Sequence, residues 1–299
     1  MIRSLDCLKS TPEKRHTLAV AVAQDAEVLS AVEAARKCGL ADAILVGDVA
    51  AIRQVADECN ISLEPYTLVQ AEDKVDACRQ AVTFVRKGEA DVLMKGLVDT
   101  SVVLKQVLNA EYGLRTGRTL SHVAVFEVPN FDRLLLLTDA AMNIAPDVEA
   151  KKQIILNATD VAHALGEPDP IVACVCAVEK LNPKMPPTVD ADELSKAGLP
   201  GCQVVGPLAL DNAISTQAAA HKGITDPRAG HANILLMPDI EAGNIMYKSL
   251  VFLAGAKNAG IIVGARAPIV LTSRADSDET KLNSIALALY VAANTPKER

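Results

Sequence analysis

The sequence predicts an α/β protein built as two α/β domains with a cleft between them. Three observations carry this. From residue 17 onward, short apolar runs alternate with stretches of helical length. The apolar runs, such as 234–237, show no in-out alternation, as strands covered on both faces require. Twice, at 129–132 and at 265–267, only a turn separates consecutive strands, which forces an antiparallel pair.

The elements follow in order. Residues 17–23 form the first strand, and 26–38 a helix stopped by Gly39. A strand at 42–46 ends at Gly47-Asp48 and leads into a helix over 50–59. A short strand at 66–69 precedes a helix at 73–87, closed by Gly88. The strand at 90–94 passes through Lys95-Gly96 into a helix at 100–108. Such βαβ units imply a parallel sheet with right-handed crossovers. The rhythm then changes, because 122–128 and 133–139 are joined only by Pro-Asn-Phe-Asp. Helix 148–165, strand 170–178, helix 191–196, strand 203–205 and helix 211–221 restore it. Strand 234–237, a turn at Pro238-Asp239 and helix 241–256 come next. Strands 260–264 and 268–271 and a last helix complete the chain. The first domain takes 1–131 and 272–299, and the second 132–271. The Pro-rich stretch 181–191 suits a surface crossover loop better than a lid.

Composition bounds the partners. At 299 residues the chain is long for one core. Aromatic residues make up 3% and Trp is absent, which argues against base stacking and carbohydrate platforms. A net charge of −7, with no Lys/Arg run, argues against nucleic acid and anionic membrane. The first ten residues contain no apolar signal segment, and no run of eighteen apolar residues occurs. A soluble, cytoplasmic protein is expected, acting on small molecules and assembling as a homo-oligomer. Seven cysteines are scattered along the chain, and only Cys174 and Cys176 are close. They share one strand face and read as small buried hydrophobes rather than a metal or redox pair.

Familiar motifs are missing. No GxGxxG follows the first strand, and no GxxxxGK[ST], HExxH, GxSxG or CxxC occurs anywhere. Of the five histidines, only His122 starts a strand near a sheet end. An anion site remains. Ser273-Arg274 ends a strand, and Asp276 through Glu279 opens the last helix. Free N–H groups at a helix start favour phosphate, and an Arg just before it can bind two oxygens at once. Asp276 or Ser277 can cap that helix, and Asp276 with Glu279 has capping-box spacing. The second cue is Asp239, Gly243, Asn244 and Lys248, early in a helix that Gly243 and Asn244 disfavour. Their placement suggests close backbone approach to something.

Five stretches carry a resemblance. They are 92–101, 135–144, 205–215, 234–250 and 272–277, and together they resemble the phosphate acetyltransferase/phosphate butyryltransferase family. The wording Gly-Pro-Leu-Ala-Leu-Asp-Asn-Ala-Ile-Ser at 206–215 and the Ser-Arg-x-Asp-Ser ending look more like the butyryl branch. The resemblance implies an isocitrate/isopropylmalate dehydrogenase-like fold of two α/β domains. It also implies reversible transfer of an acyl group between coenzyme A and phosphate, with no cofactor, no metal and no covalent enzyme intermediate. The family's Ser-Arg pair falls on Ser273 and Arg274. Thr280 stands about where the acetyl branch carries its acid, with Asp276, Asp278 and Glu279 nearby. Asp276 is assigned the role of base, although it equally suits a helix cap. Lys95, Asp211, Asn212, Asp239, Gly243 and Asn244 are expected to line the substrate site. Two other classes fit less well. A metal- and NAD-dependent dehydrogenase would want converging acids and an Arg cluster. A non-catalytic acyl-CoA binder would lack the Ser-Arg pair or Lys95-Gly96.

Overall fold

The computed structural model describes residues 2–10, 15–271 and 276–295. In chain order the elements are β1 (His16–Ala21), α1 (Ala26–Lys37), β2 (Ala41–Gly47), α2 (Val49–Glu58), β3 (Thr67–Gln70), α3 (Lys74–Arg86), β4 (Val92–Lys95) and α4 (Thr100–Val107). Then come β5 (Ser121–Glu127), β6 (Leu135–Thr138), α5 (Val148–Ala164), β7 (Ile171–Val175), α6 (Pro186–Lys196) and β8 (Gln203–Leu208). The chain continues through α7 (Leu210–Ile214), α8 (Thr216–His221), β9 (Ile234–Leu236) and α9 (Ile240–Lys248). It ends with β10 (Lys257–Val263), β11 (Ile269–Val270) and α10 (Asp278–Asn294). The mixed α/β class expected from the alternating pattern is the one observed.

Two compact units divide the chain. One takes 5–118 and 259–299, the other 1–4 and 119–258. The expected borders at 131/132 and 271/272 each lie thirteen residues later in the chain. In the first unit the strands run β3-β2-β1-β4-β11-β10. All neighbours there are parallel except β10 and β11, where Ile262 faces Ile269 across the expected antiparallel pair. Leu18, Leu45, Leu93 and Met94 are fully buried, as their unalternating runs require.

In the second unit the order is β5-β6-β9-β7-β8. The β5–β6 hairpin is antiparallel as expected, and the other neighbours are parallel. Phe126, Leu137, Ala173 and Leu235 form the heart of its core. Arg133 pins the hairpin turn. Its guanidinium stacks 4.6 Å over Phe131 and donates to the carbonyls of Gly230 and Ala232 at 3.0 and 3.1 Å.

Three elements differ from expectation. Residues 181–191 are not wholly a loop, because α6 begins at Pro186. A proline in the first turn lacks only an N–H that would have no helical partner anyway. The single helix expected over 211–221 is two, divided at Ser215, whose hydroxyl caps α8 by accepting from Ala218 N at 3.2 Å. The helix expected over 241–256 ends sooner, passing into a π-helical turn at Ser249–Leu253.

Candidate active site

In the first unit the carboxyl ends of β1, β4 and β11 share one sheet edge, since all three strands are parallel. After β1 the chain places β2 on one side and β4 on the other. Ligands of open α/β sheets bind where the order reverses in this way. The backbone there is tightly interlocked. Val22, fully buried, sits in the left-handed region at φ 59°, a strained choice for a β-branched residue. Gly96 N and Leu97 N donate to the carbonyls of Ala21 and Val22 at 2.8 and 2.9 Å. A Cβ on Gly96 would stand 2.1 Å from the Val22 oxygen, so only glycine fits.

Lys95, half-buried, curls its ammonium over this turn, donating to Gly96 O and Val98 O at 3.2 Å each. The helix that follows, α4, is left open at its start. Asp99 occupies the cap position without a side-chain cap bond, and Thr100 and Ser101 are exposed on the first turn. The free N–H groups of this helix start and Lys95 bring positive potential to the edge, offset in part by the exposed Asp99 carboxylate. Val270 pairs with Met94, so β11 ends beside Lys95. Ser273 and Arg274 lie outside the described residues. Asp276 is half-buried, and it is not the helix cap: Ser277 fills that position and accepts from Thr280 N at 3.1 Å. Of the two caps the sequence offered, Asp276 and Ser277, the structure uses Ser277.

The remaining predicted residues lie in the second unit. Asp239 caps α9, accepting from Ala242 N at 2.9 Å. Gly243 is buried, and the close approach inferred for it is to its own chain, with a hypothetical Cβ 2.2 Å from Asp139 O. Asn244, exposed, donates through Nδ2 to Ala140 O at 3.3 Å. Asp239, Gly243 and Asn244 thus line up along the 139–144 loop, joined by an Ile240 N to Ile144 O bond of 2.9 Å. Asp211 and Asn212 belong to α7 instead. Asp211 is exposed, whereas Asn212 is fully buried and donates to Glu179 Oε1 at 2.7 Å. Lys222 donates to the same oxygen at 3.1 Å, and that bond holds the Glu179 carboxyl below the usual range.

The profile of the phosphate acetyl/butaryl transferase family matches residues 67–289. Phosphate butyryltransferase of Clostridium acetobutylicum is 52% identical over 300 residues, covering 98% of this chain and 100% of that one. The chain belongs to this family. Phosphate acetyltransferase of Thermotoga maritima is 45% identical over 283 residues, covering 93% of this chain and 96% of that protein. A branched-chain phosphotransacylase from Enterococcus faecalis V583 superimposes with a TM-score of 0.84 at 37% identity, over 93% of this chain and 99% of that one.

In this member of the phosphate acetyl/butaryl transferase family, Asp139 is the residue that sequence reasoning missed. It is 3% exposed, and its carboxylate gathers four donors. Oδ1 accepts from Ala141 N and Met142 N at 2.8 and 2.9 Å, and Oδ2 from His122 N and Asn143 Nδ2 at 3.1 and 2.7 Å. Asn143 also donates to Leu120 O at 2.9 Å. This network shapes the loop against which α9 packs. The available signal was an Asp directly after the buried strand Leu135–Thr138, where it can make a local turn with its own following N–H groups.

Cys174 and Cys176 are not poised for chemistry. Burial pushes the Cys176 thiol up to about 11 and Cys174 higher still, and Cys176 Sγ donates to Pro187 O at 3.3 Å. Thiolates, not thiols, attack and ligate. Among the described residues no group of three or more His, Cys, Asp or Glu side chains could hold a metal ion.

Proposed function

We propose that this chain moves a short acyl group, butyryl preferred, between coenzyme A and inorganic phosphate. The observation that carries this reading is the 52% identity to a phosphate butyryltransferase across both whole chains. The positive potential brought by Lys95 and the open start of α4 supports an anionic substrate at that edge.

Few parts are needed. A thiol with a pKa near ~8.5 is only slightly ionised at neutral pH, so a base must take its proton as it attacks. Asp276 is proposed as that base. The sulfur forms a bond to the acyl-phosphate carbonyl carbon, the carbon–oxygen bond to phosphate breaks, and phosphate leaves as a dianion. Ser273 and Arg274 receive the dianion, and Lys95 is proposed as a further cation for it. In the second unit, Asp211, Asp239 and Asn244 are proposed to contact substrate, whereas Asn212 and Gly243 are buried against the protein's own atoms. The reaction needs no cofactor and no acyl-enzyme intermediate.

A preference for acetyl is the second reading, favoured by the 45% identity to a phosphate acetyltransferase. The proposal extends to the isocitrate/isopropylmalate dehydrogenase-like arrangement of two domains, supported by the division of the chain into two compact units. It also includes a homo-oligomer, supported by exposed Ile245, Phe252 and Leu253 at 66, 70 and 85%. Seven free cysteines support a reducing cytoplasm as the location. No described helix is long and apolar enough to cross a membrane.

The test is release of CoA thiol from acyl-CoA on adding phosphate, over a ladder of acyl lengths and after exhaustive EDTA treatment. A graded optimum at butyryl is expected, because one methylene in an apolar pocket is worth about 1–3 kcal/mol. An acetyl optimum with butyryl-CoA nearly inert selects the second reading. Activity restored only by added metal overturns the metal-free mechanism.

A further inference from the structure

One charged pair in the first unit has no evident reason in stability. Lys281 lies in α10 directly after its acidic first turn, Asp278 and Glu279. Its side chain is 3% exposed, with Nζ 2.7 Å from Glu27 Oε2 in the first turn of α1. A cation near the positive end of a helix is disfavoured, and burying it adds a desolvation cost. Both α1 and α10 follow strands of the same parallel set, so two positive helix starts lie side by side around this ammonium. A buried apolar side chain of the same length would fill the space without either cost. The half-exposed Glu27, at 52%, needs no partner of its own.

The pair does, however, fix a position. Two contacts among those described tie the start of α10 to its neighbours. Ser284 Oγ accepts from Gly260 N at 3.0 Å and donates to Thr280 O at 2.8 Å, tying the first turn to β10. Lys281 ties the same turn to α1, whose own start follows the carboxyl end of β1. Asp276 and the cap Ser277 precede this turn without an intervening element.

We propose that Lys281, through its ion pair with Glu27, is a positioning residue for the acyl transfer, holding the start of α10 and Asp276 at the edge where Lys95 stands. The inference rests on the function proposed above. An ion pair with one buried member is a poor stabiliser but a directional one, because its geometry admits one arrangement and greasy packing admits several.

The experiment compares the unaltered chain with Lys281→Met, Glu27→Gln and the double variant. Thermal unfolding is followed, together with kcat and KM for butyryl-CoA and phosphate. Lys281→Met should melt at or above the unaltered chain, since it removes a buried charge and leaves Glu27 in water. Its kcat should fall about ten-fold or more, as small misplacements of reacting groups do, with KM for butyryl-CoA within about two-fold. Glu27→Gln should lower kcat similarly and also lower the melting temperature, because the ammonium is stranded. The double variant should match Lys281→Met rather than sum the two losses. Unchanged kcat in Lys281→Met overturns the inference, as does a loss that only follows the folded fraction. Should Lys281→Met not fold, Glu27→Asp decides, since it keeps the charge and shortens its reach. Lower kcat at an unchanged melting temperature supports the inference, and unchanged kcat overturns it. No transfer by the unaltered chain sinks the proposed function itself, which separates the two failures.

Discussion

Gly243 rests on the carbonyl oxygen of Asp139 so closely that a Cβ would stand 2.2 Å from it. The next nearest atoms, Ala140 Cα and Asp139 C, are also backbone, so no flexible side chain can yield. Gly243→Ala should therefore lower stability by about 1–3 kcal/mol, the range for overpacking, although alanine is the better helix former. Denaturant unfolding would show it. An unchanged or raised midpoint would mean that the 139–144 loop moves aside freely.

The second prediction concerns pH. Glu33, with its side chain 11% exposed, takes two bonds from Arg36 and one from Tyr66. The Arg36 bond is the main cause of a pKa lowered to about 2 from 4.5. A depressed carboxylate contributes stability that is complete above its unfolded pKa and lost as pH falls toward its folded one. Glu33→Gln should therefore be less stable at pH 7 by on the order of 2–3 kcal/mol, with the gap shrinking through pH 4 and 3. A gap of constant size from pH 7 to pH 3 would remove Glu33 as its source.

The third concerns the paired cysteines. With both thiols pushed far above neutrality and buried at 3 and 8% exposure, Cys174 and Cys176 should resist alkylation at pH 7.5 in the folded chain. Replacing both with alanine should cost stability, by about 1–3 kcal/mol, more than rate per folded molecule. An acyl-cysteine trapped by mass spectrometry would overturn the direct-attack mechanism.

A fourth concerns Arg274. If its guanidinium grips the phosphoryl group with two parallel bonds, lysine cannot replace it, since an ammonium offers no fork. Losing bonds worth about 1.5–3 kcal/mol should lower kcat/KM by roughly ten- to a few-hundred-fold. The KM for phosphate should rise in phosphorolysis, while that for acyl-CoA changes little. Loss of CoA affinity with the phosphate KM intact would assign this arginine to the cofactor's phosphates instead.

Much of the fold was legible because strand and helix periods are local. The two antiparallel pairs were readable from turns too short for a crossover, at 129–132 and 265–267. Strand order was not readable, since it depends on which way each crossover turns. The helix from Pro186 was hidden by proline's reputation, and the break at Ser215 by an unbroken apolar pattern. For the site, Asp239 was placed at a strand end and the structure gives it a cap's role. Gly243 was rightly read as a point of close approach, but the partner was its own backbone. Asp139 went unnoticed because one of its four donors, His122 N, comes from the neighbouring strand, and the local loop that supplies the other three has no distinctive spacing. Ser277 and Asp276 differ by one position in a run where either could cap, and spacing alone does not choose.

The interlock of Val22 with Gly96 bears on how such a chain can change over generations. Any side chain at 96 collides with a carbonyl that is where it is only because Val22 is turned left-handed. Relaxing Val22 alone would withdraw the acceptor that Leu97 N now uses. Position 96 therefore admits only glycine, while position 22 admits residues that hold the left-handed turn. A library randomising 96 should return glycine, and one randomising 22 should be enriched in glycine and asparagine.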